Sequence, residues 1–222
     1  MRIETTVCIV GAGPAGVAAS LFLAKAGIDH ILLDKTEFPR NKVCGDALTM
    51  EVMHTLNRID PAFFQEMQQQ THEFLPSWAL QGYAPNGKAL TLRFAQQLPF
   101  APFYTTKRFD FDQFLIQKID SAHATTFFGV RIEHMERVRG KVVIRFNRGD
   151  QAYTLTAPLI FGADGATSTV ARYLSDAKRK DLSHTSASIR TYFSKIEGNS
   201  ALNELEFYFL RELLPGYFWI FP

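Results

Sequence analysis

Cysteine is scarce in this 222-residue sequence, which contains only Cys8 and Cys44. Two cysteines cannot build a disulfide framework, and neither has the close Cys or His neighbours of a zinc site, so a cytoplasmic protein without a bound metal is expected. The six histidines also lack partners at the spacing of metal ligands or of a catalytic triad. Metal chemistry is therefore not expected to be central to the function.

The sequence also lacks a strong net charge and a long apolar run. The 24 Lys and Arg residues nearly balance the 22 Asp and Glu residues, and the net charge of +2 offers no electrostatic footprint for nucleic acid. No run approaches the roughly 18 apolar residues of a membrane-spanning helix. Glu4 and three glycines interrupt the N-terminal apolar stretch, unlike a secretory signal. Peripheral membrane contact stays open.

The composition that is present is that of a folded protein. Hydrophobic residues make up 46% of the sequence and charged residues 21%, close to the soluble globular norm, and the length allows one large domain or two small ones. The 20 phenylalanines either fill a core or line a cavity for an apolar ligand. Composition alone does not choose between these two uses.

A glycine-rich turn between a strand and a helix is the first motif. The apolar run Val7–Val10 predicts a strand buried on both faces, and the glycine-rich segment Gly11–Gly16 follows it. A helix is predicted over Val17–Ala26, and a second strand over Ile28–Leu33 ends at Asp34. This order, with an acidic residue after the second strand, is the context that the dinucleotide-binding fingerprint requires.

Each residue type in this motif has a physical purpose. Gly11 permits the tight turn, Gly13 lets the backbone approach a pyrophosphate, and Gly16 allows the helix to pack closely on the strand. The helix N-terminus supplies N–H groups and a positive partial charge for the phosphates. Asp34 is expected to accept hydrogen bonds from a ribose hydroxyl, which would oppose a 2′-phosphate at the same place.

Three later segments extend this pattern. Phe38–Arg40 leads to the loop Cys44–Ala47, directly after the second predicted strand. Thr106–Asp112 opens a helical run, and a predicted strand at Leu159–Phe161 ends in Gly162–Gly165. In this order and at these spacings, residues 7 to 222 resemble the FAD-dependent oxidoreductases of the para-hydroxybenzoate hydroxylase type. That group includes aromatic hydroxylases, flavin-dependent halogenases and geranylgeranyl reductases.

The resemblance implies FAD as the cofactor and gives roles to individual residues. It places the pyrophosphate on the three glycines and the adenosine ribose on Asp34. It places Arg108 beside the flavin phosphate and ribityl chain, and Asp164 at the ribityl–pyrophosphate region. Further cofactor contacts are expected at Pro14, Ala15, Lys35, Arg40, Val130 and Gly165. From the residues alone, the other interpretation is that Arg108 is a helix-start residue and Asp164 a turn residue.

The C-terminal residues narrow the expected reaction. Tyr217, Trp219 and Phe221, with Pro222, match the Tyr-x-Trp-x-Phe-Pro pattern of the geranylgeranyl reductase family. Flavin-dependent halogenases have a related Trp-x-Trp-x-Ile-Pro pattern, so two side chains favour the reductases. The resemblance implies that these aromatic side chains bind an apolar isoprenoid. The other interpretation is a hydrophobic strand on which the three share one face, and both can hold together.

The loop that contains Cys44 resembles the cysteine loop of the same family. The resemblance implies that Cys44 is catalytic and faces the substrate, where it positions the alkene or relays a proton. From the residues alone, a free cysteine is as readily a small buried hydrophobe. Arg40 and Lys42 nearby would favour a thiolate.

The expected function is reduction of isoprenoid double bonds by an FAD-dependent oxidoreductase, with NAD(P)H as a candidate electron donor. The substrate would be a geranylgeranyl lipid or another prenyl lipid. Two alternatives stay open, namely a monooxygenase or halogenase of the same fold and a non-catalytic FAD-binding fragment. Members of the family continue for well over a hundred residues beyond this motif. A missing C-terminal segment or a second chain is therefore expected to complete the site.

The expected fold class is α/β, with a Rossmann-like FAD-binding domain and a mixed antiparallel substrate domain that is incomplete at the C-terminus. Both domains are expected to be discontinuous in sequence. The FAD-binding domain is predicted at residues 1–75 and 105–178, and part of the substrate-binding domain at 76–104 and 179–222.

Overall fold

The structure is a computed structural model that describes residues 1–175, 185–198 and 201–222. It divides into two compact units. The first unit comprises Met1–Asn41 and Phe111–Ala187, and the second comprises Lys42–Asp110 and Ser188–Pro222. The chain thus passes from the first unit to the second after Asn41, earlier than the predicted boundary at residue 75. The predicted boundary between residues 178 and 179 lies outside the described residues.

Strands outnumber helices in the described part of the chain, and several strands follow one another without a helix between them. The strands are β1 (Arg2–Glu4), β2 (Val7–Val10), β3 (His30–Leu33), β4 (Ala47–Thr49), β5 (Leu75–Ser77), β6 (Ala79–Tyr83), β7 (Ala89–Arg93), β8 (Phe103–Thr105), β9 (Ala124–Phe127), β10 (Val130–Val138), β11 (Lys141–Arg148), β12 (Gln151–Ala157), β13 (Leu159–Gly162), β14 (Leu205–Tyr208) and β15 (Phe218–Ile220). The α-helices are α1 (Pro14–Lys25), α2 (Met50–Ile59), α3 (Pro61–Gln69), α4 (Arg108–Ile116) and α5 (Thr169–Leu174). The mixture of parallel and antiparallel sheets confirms the α/β class.

The first unit is built on a parallel sheet with strand order β13-β2-β3-β9. Every residue of β2 and β3 is buried, as expected for strands covered on both faces of a parallel sheet, and the only polar residue among them is His30. Backbone hydrogen bonds continue past the strand ends, from Gly11 N to Leu33 O at 2.7 Å and from Ala163 N to Val10 O at 2.7 Å. The carboxyl ends of three strands therefore bring Gly11, Asp34 and Ala163 to one edge of the sheet.

A second sheet completes the first unit. Its order is β1-β12-β11-β10, with β1 parallel to β12 and the other pairs antiparallel. One buried cluster joins residues of both sheets, including Cys8 and Leu33 from the parallel sheet and Ile144, Phe146 and Leu155 from the other. The unit therefore has a core of its own.

The second unit contains two further sheets and the helices α2 and α3. Its larger sheet has the order β15-β14-β6-β7, in which β14 runs parallel to β6 and the outer pairs are antiparallel. The smaller sheet, β4-β8-β5, is antiparallel. Because α2 packs on α3 and on β4, residues 42–75 form part of this unit, whereas the sequence suggested the FAD-binding part.

Two predicted boundaries move for local reasons. Helix α1 begins at Pro14 rather than at Val17, because proline suits the first helical position and Gly13 provides the N-cap. Strand β3 begins at His30, because Gly27 takes a φ of +68° and Ile28 N still donates to Leu23 O of the helix. Across the described ranges, no helix is both long and apolar enough to cross a membrane.

Candidate functional site

The glycine-rich turn, residues 11–16, forms a loop at the carboxyl edge of the parallel sheet and is called the phosphate loop below. Gly11 has a φ of +102°, and a Cβ there would lie 2.3 Å from Ala163 O. A Cβ on Gly16 would lie 1.7 Å from Gly11 O. Neither position accepts a side chain, because the loop backbone packs directly on other backbone. The turn and the helix–strand packing predicted for these glycines are thus both present.

Gly13 differs from its neighbours because the space beside it is open. A Cβ there would meet only Arg40 Nη2, at 3.7 Å. Gly13 caps α1 without any side-chain hydrogen bond, and the first turn contains Pro14 and no acidic residue. The 12-residue helix therefore presents its N-terminus uncovered beside a guanidinium group, with Ala15 exposed. This arrangement suits a bound anion, since helix N-terminal N–H groups and an arginine attract the same charge.

Arg40 is held beside the phosphate loop by a partner that the sequence did not reveal. Its Nη2 lies 3.2 Å from Oδ2 of Asp112, a residue of α4 that is only 1% exposed. Its guanidinium carbon also lies 5.1 Å from the centre of the Phe38 ring. Asp112 lies within the segment 106–112 that the sequence analysis singled out, but helical spacing gives no sign of this long-range pair.

Asp34 is buried, and its carboxylate already accepts three hydrogen bonds. Oδ2 accepts from Ala12 N at 2.6 Å, and Oδ1 accepts from the backbone N and the Oγ1 of Thr36 at 2.8 and 2.6 Å. A carboxylate has about four acceptor sites, so one is left for a ribose hydroxyl. Val130 N donates to Asp34 O at 3.0 Å, which places Val130 beside this residue, while Lys35 is exposed.

Asp164 caps a helix. Its carboxylate accepts from Ser168 Oγ at 2.5 Å and from the backbone N–H groups of Thr169 and Val170 at 2.5 and 3.2 Å. These bonds cap α5 and fix the turn after β13. Gly165, at a φ of +80°, has no atom within 4 Å of where its Cβ would be. The contact of Asp164 and Gly165 with FAD stays a prediction.

The second unit holds the aromatic row, defined as Tyr217, Trp219 and Phe221. Successive ring centres are 5.9 and 6.3 Å apart along β15 and its flanks. Phe207 of β14 contacts both ends of the row, at 5.7 Å from Tyr217 and 5.4 Å from Phe221. Phe218 points away and lies 5.7 Å from Tyr208. The three aromatic side chains therefore share one face, as the period-two interpretation predicts.

The cysteine loop, residues 42–46, lies at one end of the aromatic row. A Cβ added to Gly45 would be 3.8 Å from Cε2 of Phe221, so the loop passes close to the last ring of the row. Cys44, the preceding residue, is half-buried. The two motifs that suggested an isoprenoid substrate, which are more than 160 residues apart in sequence, are thus neighbours within one unit.

The two cysteines occupy opposite environments. Cys8 lies in the middle of the parallel sheet with no exposed surface, and burial raises the pKa of its thiol to about 12. A thiol that stays neutral at ordinary pH is a packing residue. Cys44 is therefore the cysteine that is available for chemistry.

The predicted site residues fall into two sets. The first unit contains the phosphate loop and all the predicted cofactor contacts except Arg108. The second unit contains the cysteine loop, the aromatic row and Arg108, which is half-buried as the first residue of α4. Among the residues that the structure describes, no three His, Cys, Asp or Glu side chains are placed to hold a metal ion.

Comparison with known proteins gives a family and a fold. The family described as FAD binding domain matches residues 4–208. Menaquinone reductase from Mycolicibacterium smegmatis is 28% identical over 233 residues, which cover 100% of this chain and 53% of that relative. Digeranylgeranylglycerophospholipid reductase from Methanococcus vannielii is 28% identical over 97% of this chain and 52% of its own length. The chain thus spans about half the length of the curated relatives it matches.

Solved structures share the fold at lower sequence identity. A geranylgeranyl bacteriochlorophyll reductase-like protein from Thermoplasma acidophilum matches with a TM-score of 0.75 and 19% identity, over 100% of this chain and 54% of that one. A flavin-dependent halogenase matches with a TM-score of 0.72 and 23% identity, over 99% of this chain and 39% of that one.

Proposed function

The chain belongs to the FAD binding domain family, and from that membership we propose that it is the flavin-holding part of a reductase that saturates double bonds of an isoprenoid lipid. Two relatives are named for the reduction of lipids, menaquinone and digeranylgeranylglycerophospholipid. Both molecules carry isoprenoid chains. The activity is that of a protein as long as these relatives, of which this chain spans about half.

The first unit supplies the residues that would hold FAD. The pyrophosphate would lie on the N–H groups at the start of α1, beside Gly13 and the guanidinium group of Arg40. The remaining acceptor site of Asp34 suits one ribose hydroxyl. The open space at Gly13 and the absence of acidic residues from the first turn of α1 support this fit.

The closeness of Gly45 to the Phe221 ring is the observation that carries the substrate assignment. It supports a site in which the half-buried Cys44, the residue before Gly45, acts near a row of three aromatic side chains on one sheet face. Such a face can hold an apolar chain by burial of its surface, while the Tyr217 hydroxyl and the Trp219 indole N–H remain able to meet a polar group. A thiol at the end of an apolar face suits a lipid double bond.

Saturation of a double bond needs a hydride on one carbon and a proton on the other. FAD, when bound and reduced, supplies the hydride, and we propose NAD(P)H as the source of its electrons. The Sγ–H of Cys44 relays the proton to the second carbon and is reprotonated from solvent. The aromatic row keeps the chain in place and excludes water from the reacting carbons.

Contact with a membrane surface would bring such a substrate to the site. We propose this contact from the exposed apolar side chains that surround the aromatic row. They are Phe209, Leu210, Leu213, Leu214, Phe218 and Ile220.

Flavin retention tests the first half of the proposal. The chain is incubated with FAD and desalted, and flavin absorbance is measured for wild type and for Gly13→Asp and Gly13→Asn. Both substitutions fit the open space and provide a good helix N-cap, so both proteins should fold. Only the aspartate repels the pyrophosphate through its charge, so it should retain the least flavin. Wild-type protein that is folded but colourless would contradict the proposal.

Product analysis tests the second half. Photoreduced protein is mixed with a geranylgeranyl lipid without oxygen, and a product two hydrogens heavier per reduced bond is expected, in smaller amount for Cys44→Ser. A product that forms only with oxygen would assign monooxygenase chemistry instead. Retained flavin with no turnover of any lipid would leave a flavin-binding segment without this activity.

A further inference from the structure

A buried ion pair anchors the cysteine loop. Nη1 of Arg190 lies 2.9 Å from both carboxylate oxygens of Asp46, and the two side chains are only 13% and 11% exposed. The hydroxyl of Tyr192 donates to Oδ2 of the same carboxylate at 2.7 Å. Asp46 is thus shared by a cation and a phenol that lie more than 140 residues away in sequence.

Further contacts tie the same segment to the loop. Nη1 of Arg190 also donates to the carbonyl of Lys42 at 3.2 Å. One guanidinium group therefore binds both the first and the last residue of the cysteine loop. The guanidinium carbon lies 4.4 Å from the centre of the Tyr192 ring, and Lys107 Nζ lies 5.4 Å from it. Residues 185–198 have no regular secondary structure, and the contacts of these two side chains attach residues 190–192 to the loop.

The Tyr192 hydroxyl stays protonated, as a hydrogen-bond donor to Asp46 must be. Partial desolvation, and then its hydrogen bond to the Asp46 carboxylate, raise the pKa of Tyr192 to about 12. The hydroxyl therefore keeps its proton, and remains a donor to Asp46, throughout the physiological pH range.

The loop backbone has an uncommon conformation at Asp46. Its φ is +64°, in the left-handed region that few residues other than glycine adopt, although aspartate is one that tolerates it. Thr106 N donates to Asp46 O at 2.9 Å, which holds the backbone from the other side. Gly45, next to this residue, lies close to the Phe221 ring.

We infer that Arg190 and Tyr192 are positioning residues that hold the cysteine loop through Asp46 and so keep Cys44 at the end of the aromatic row. This role rests on the proposed function, in which Cys44 acts on the substrate. It adds two residues from a segment that contains none of the motifs recognised in the sequence. Their contribution is to the placement of the thiol and not to its chemistry.

Amide hydrogen exchange of the full chain with FAD tests the inference without any turnover. Peptides that cover residues 42–46 are followed in wild type, Arg190→Met, Tyr192→Phe and Arg190→Lys, together with the rate at which iodoacetamide alkylates Cys44. Arg190→Met should raise exchange in this loop about tenfold, with no rise in the phosphate loop. Alkylation of Cys44 should quicken in parallel. Arg145→Met, which breaks an exposed pair with Glu136, is the matched control and should change neither.

The conservative variants separate positioning from folding. A single nitrogen of Arg190 reaches both oxygens of Asp46, so Arg190→Lys should restore most of the protection. If Arg190→Met raises exchange throughout the second unit, Tyr192→Phe decides, because it removes only one hydroxyl. A rise confined to residues 42–46 then supports the inference, and no rise overturns it. Neither readout uses lipid reduction, so failure of the proposed activity would be seen separately.

Discussion

The phosphate loop and the cysteine loop are held in place by different means. In the phosphate loop, backbone packs on backbone, and Gly11 and Gly16 leave no room for a single methyl group. In the cysteine loop, the support comes from the side chains of Arg190 and Tyr192 acting on Asp46. A backbone arrangement of this kind tolerates no substitution, whereas a side-chain arrangement loosens by degrees. Substitutions in the two units should therefore differ in how much they lower the free energy of unfolding and in which loop they disturb.

Gly16→Ala should have the largest effect. Alanine would ordinarily favour a helix by about 1 kcal/mol over glycine, but its methyl group would lie 1.7 Å from Gly11 O, so the loop or the helix must move. We expect the free energy of unfolding to fall by about 4 kcal/mol or more and flavin retention to be lost. Urea denaturation followed by circular dichroism measures the first, and desalting measures the second.

Gly82→Ala is the matched control in the second unit. Gly82 lies in β6 with no atom within 4 Å of where its Cβ would be, so alanine there should be neutral or stabilising by up to about 1 kcal/mol. Both tryptophans, Trp78 and Trp219, belong to the second unit, so their fluorescence reports on it selectively. Equal losses in the two variants would refute the contrast between the loops.

Arg40→Met should have the next largest effect. It removes one ion-pair partner from Asp112, a carboxylate buried in the first unit. Breaking a buried pair from one side costs about 3 kcal/mol or more, and the positive charge beside Gly13 is lost as well. Both the free energy of unfolding and flavin retention should fall. Arg145→Met, in the exposed pair with Glu136, should cost less than about 0.5 kcal/mol and leave flavin binding intact.

The same contrast explains what the sequence could predict. The phosphate loop is encoded locally, because glycine at three fixed positions between a strand and a helix has few other uses, and the structure has the close backbone packing predicted at Gly11 and Gly16. The α/β class followed from the apolar run of β2 and the mainly apolar run of β3, with a predicted helix between them. The period-two spacing of Tyr217, Trp219 and Phe221 likewise predicted their common face.

The residues that the sequence did not reveal are side-chain partners from distant segments. Asp112 meets Arg40 across 72 positions (112 minus 40), and Arg190 meets Asp46 across 144. Nothing in the local pattern of a charged residue identifies its partner when the partner depends on the tertiary fold. The passage of the chain into the second unit after residue 41 was missed for a related reason. It depends on the packing of α2 against α3 and β4, which local sequence does not show.

The buried cysteine should give the first unit a pH dependence of its own. Burial raises the pKa of Cys8 from 9.0 to about 12, so the folded state keeps a proton that the unfolded chain releases above about pH 9. The associated stability is therefore fully present below pH 9 and is lost as pH rises toward 12. Between about pH 8 and about pH 10, wild type should lose about 1.4 kcal/mol more unfolding free energy than Cys8→Ala. If the unfolding free energies of wild type and Cys8→Ala change with pH by the same amount, this assignment is contradicted.

The smallest effect on stability should come from the aromatic row, where function and stability separate. Tyr217 and Phe218 are adjacent, each 48% exposed, and they point to opposite faces of β15. Truncating either to alanine should lower the free energy of unfolding by only about 1 kcal/mol and leave flavin retention unchanged. Tyr217→Ala alone should reduce conversion of a geranylgeranyl lipid, because only this ring shares a face with Trp219 and Phe221. If Phe218→Ala lowers conversion equally, the substrate does not lie along that face, and the aromatic row is simply part of the packing of the sheet.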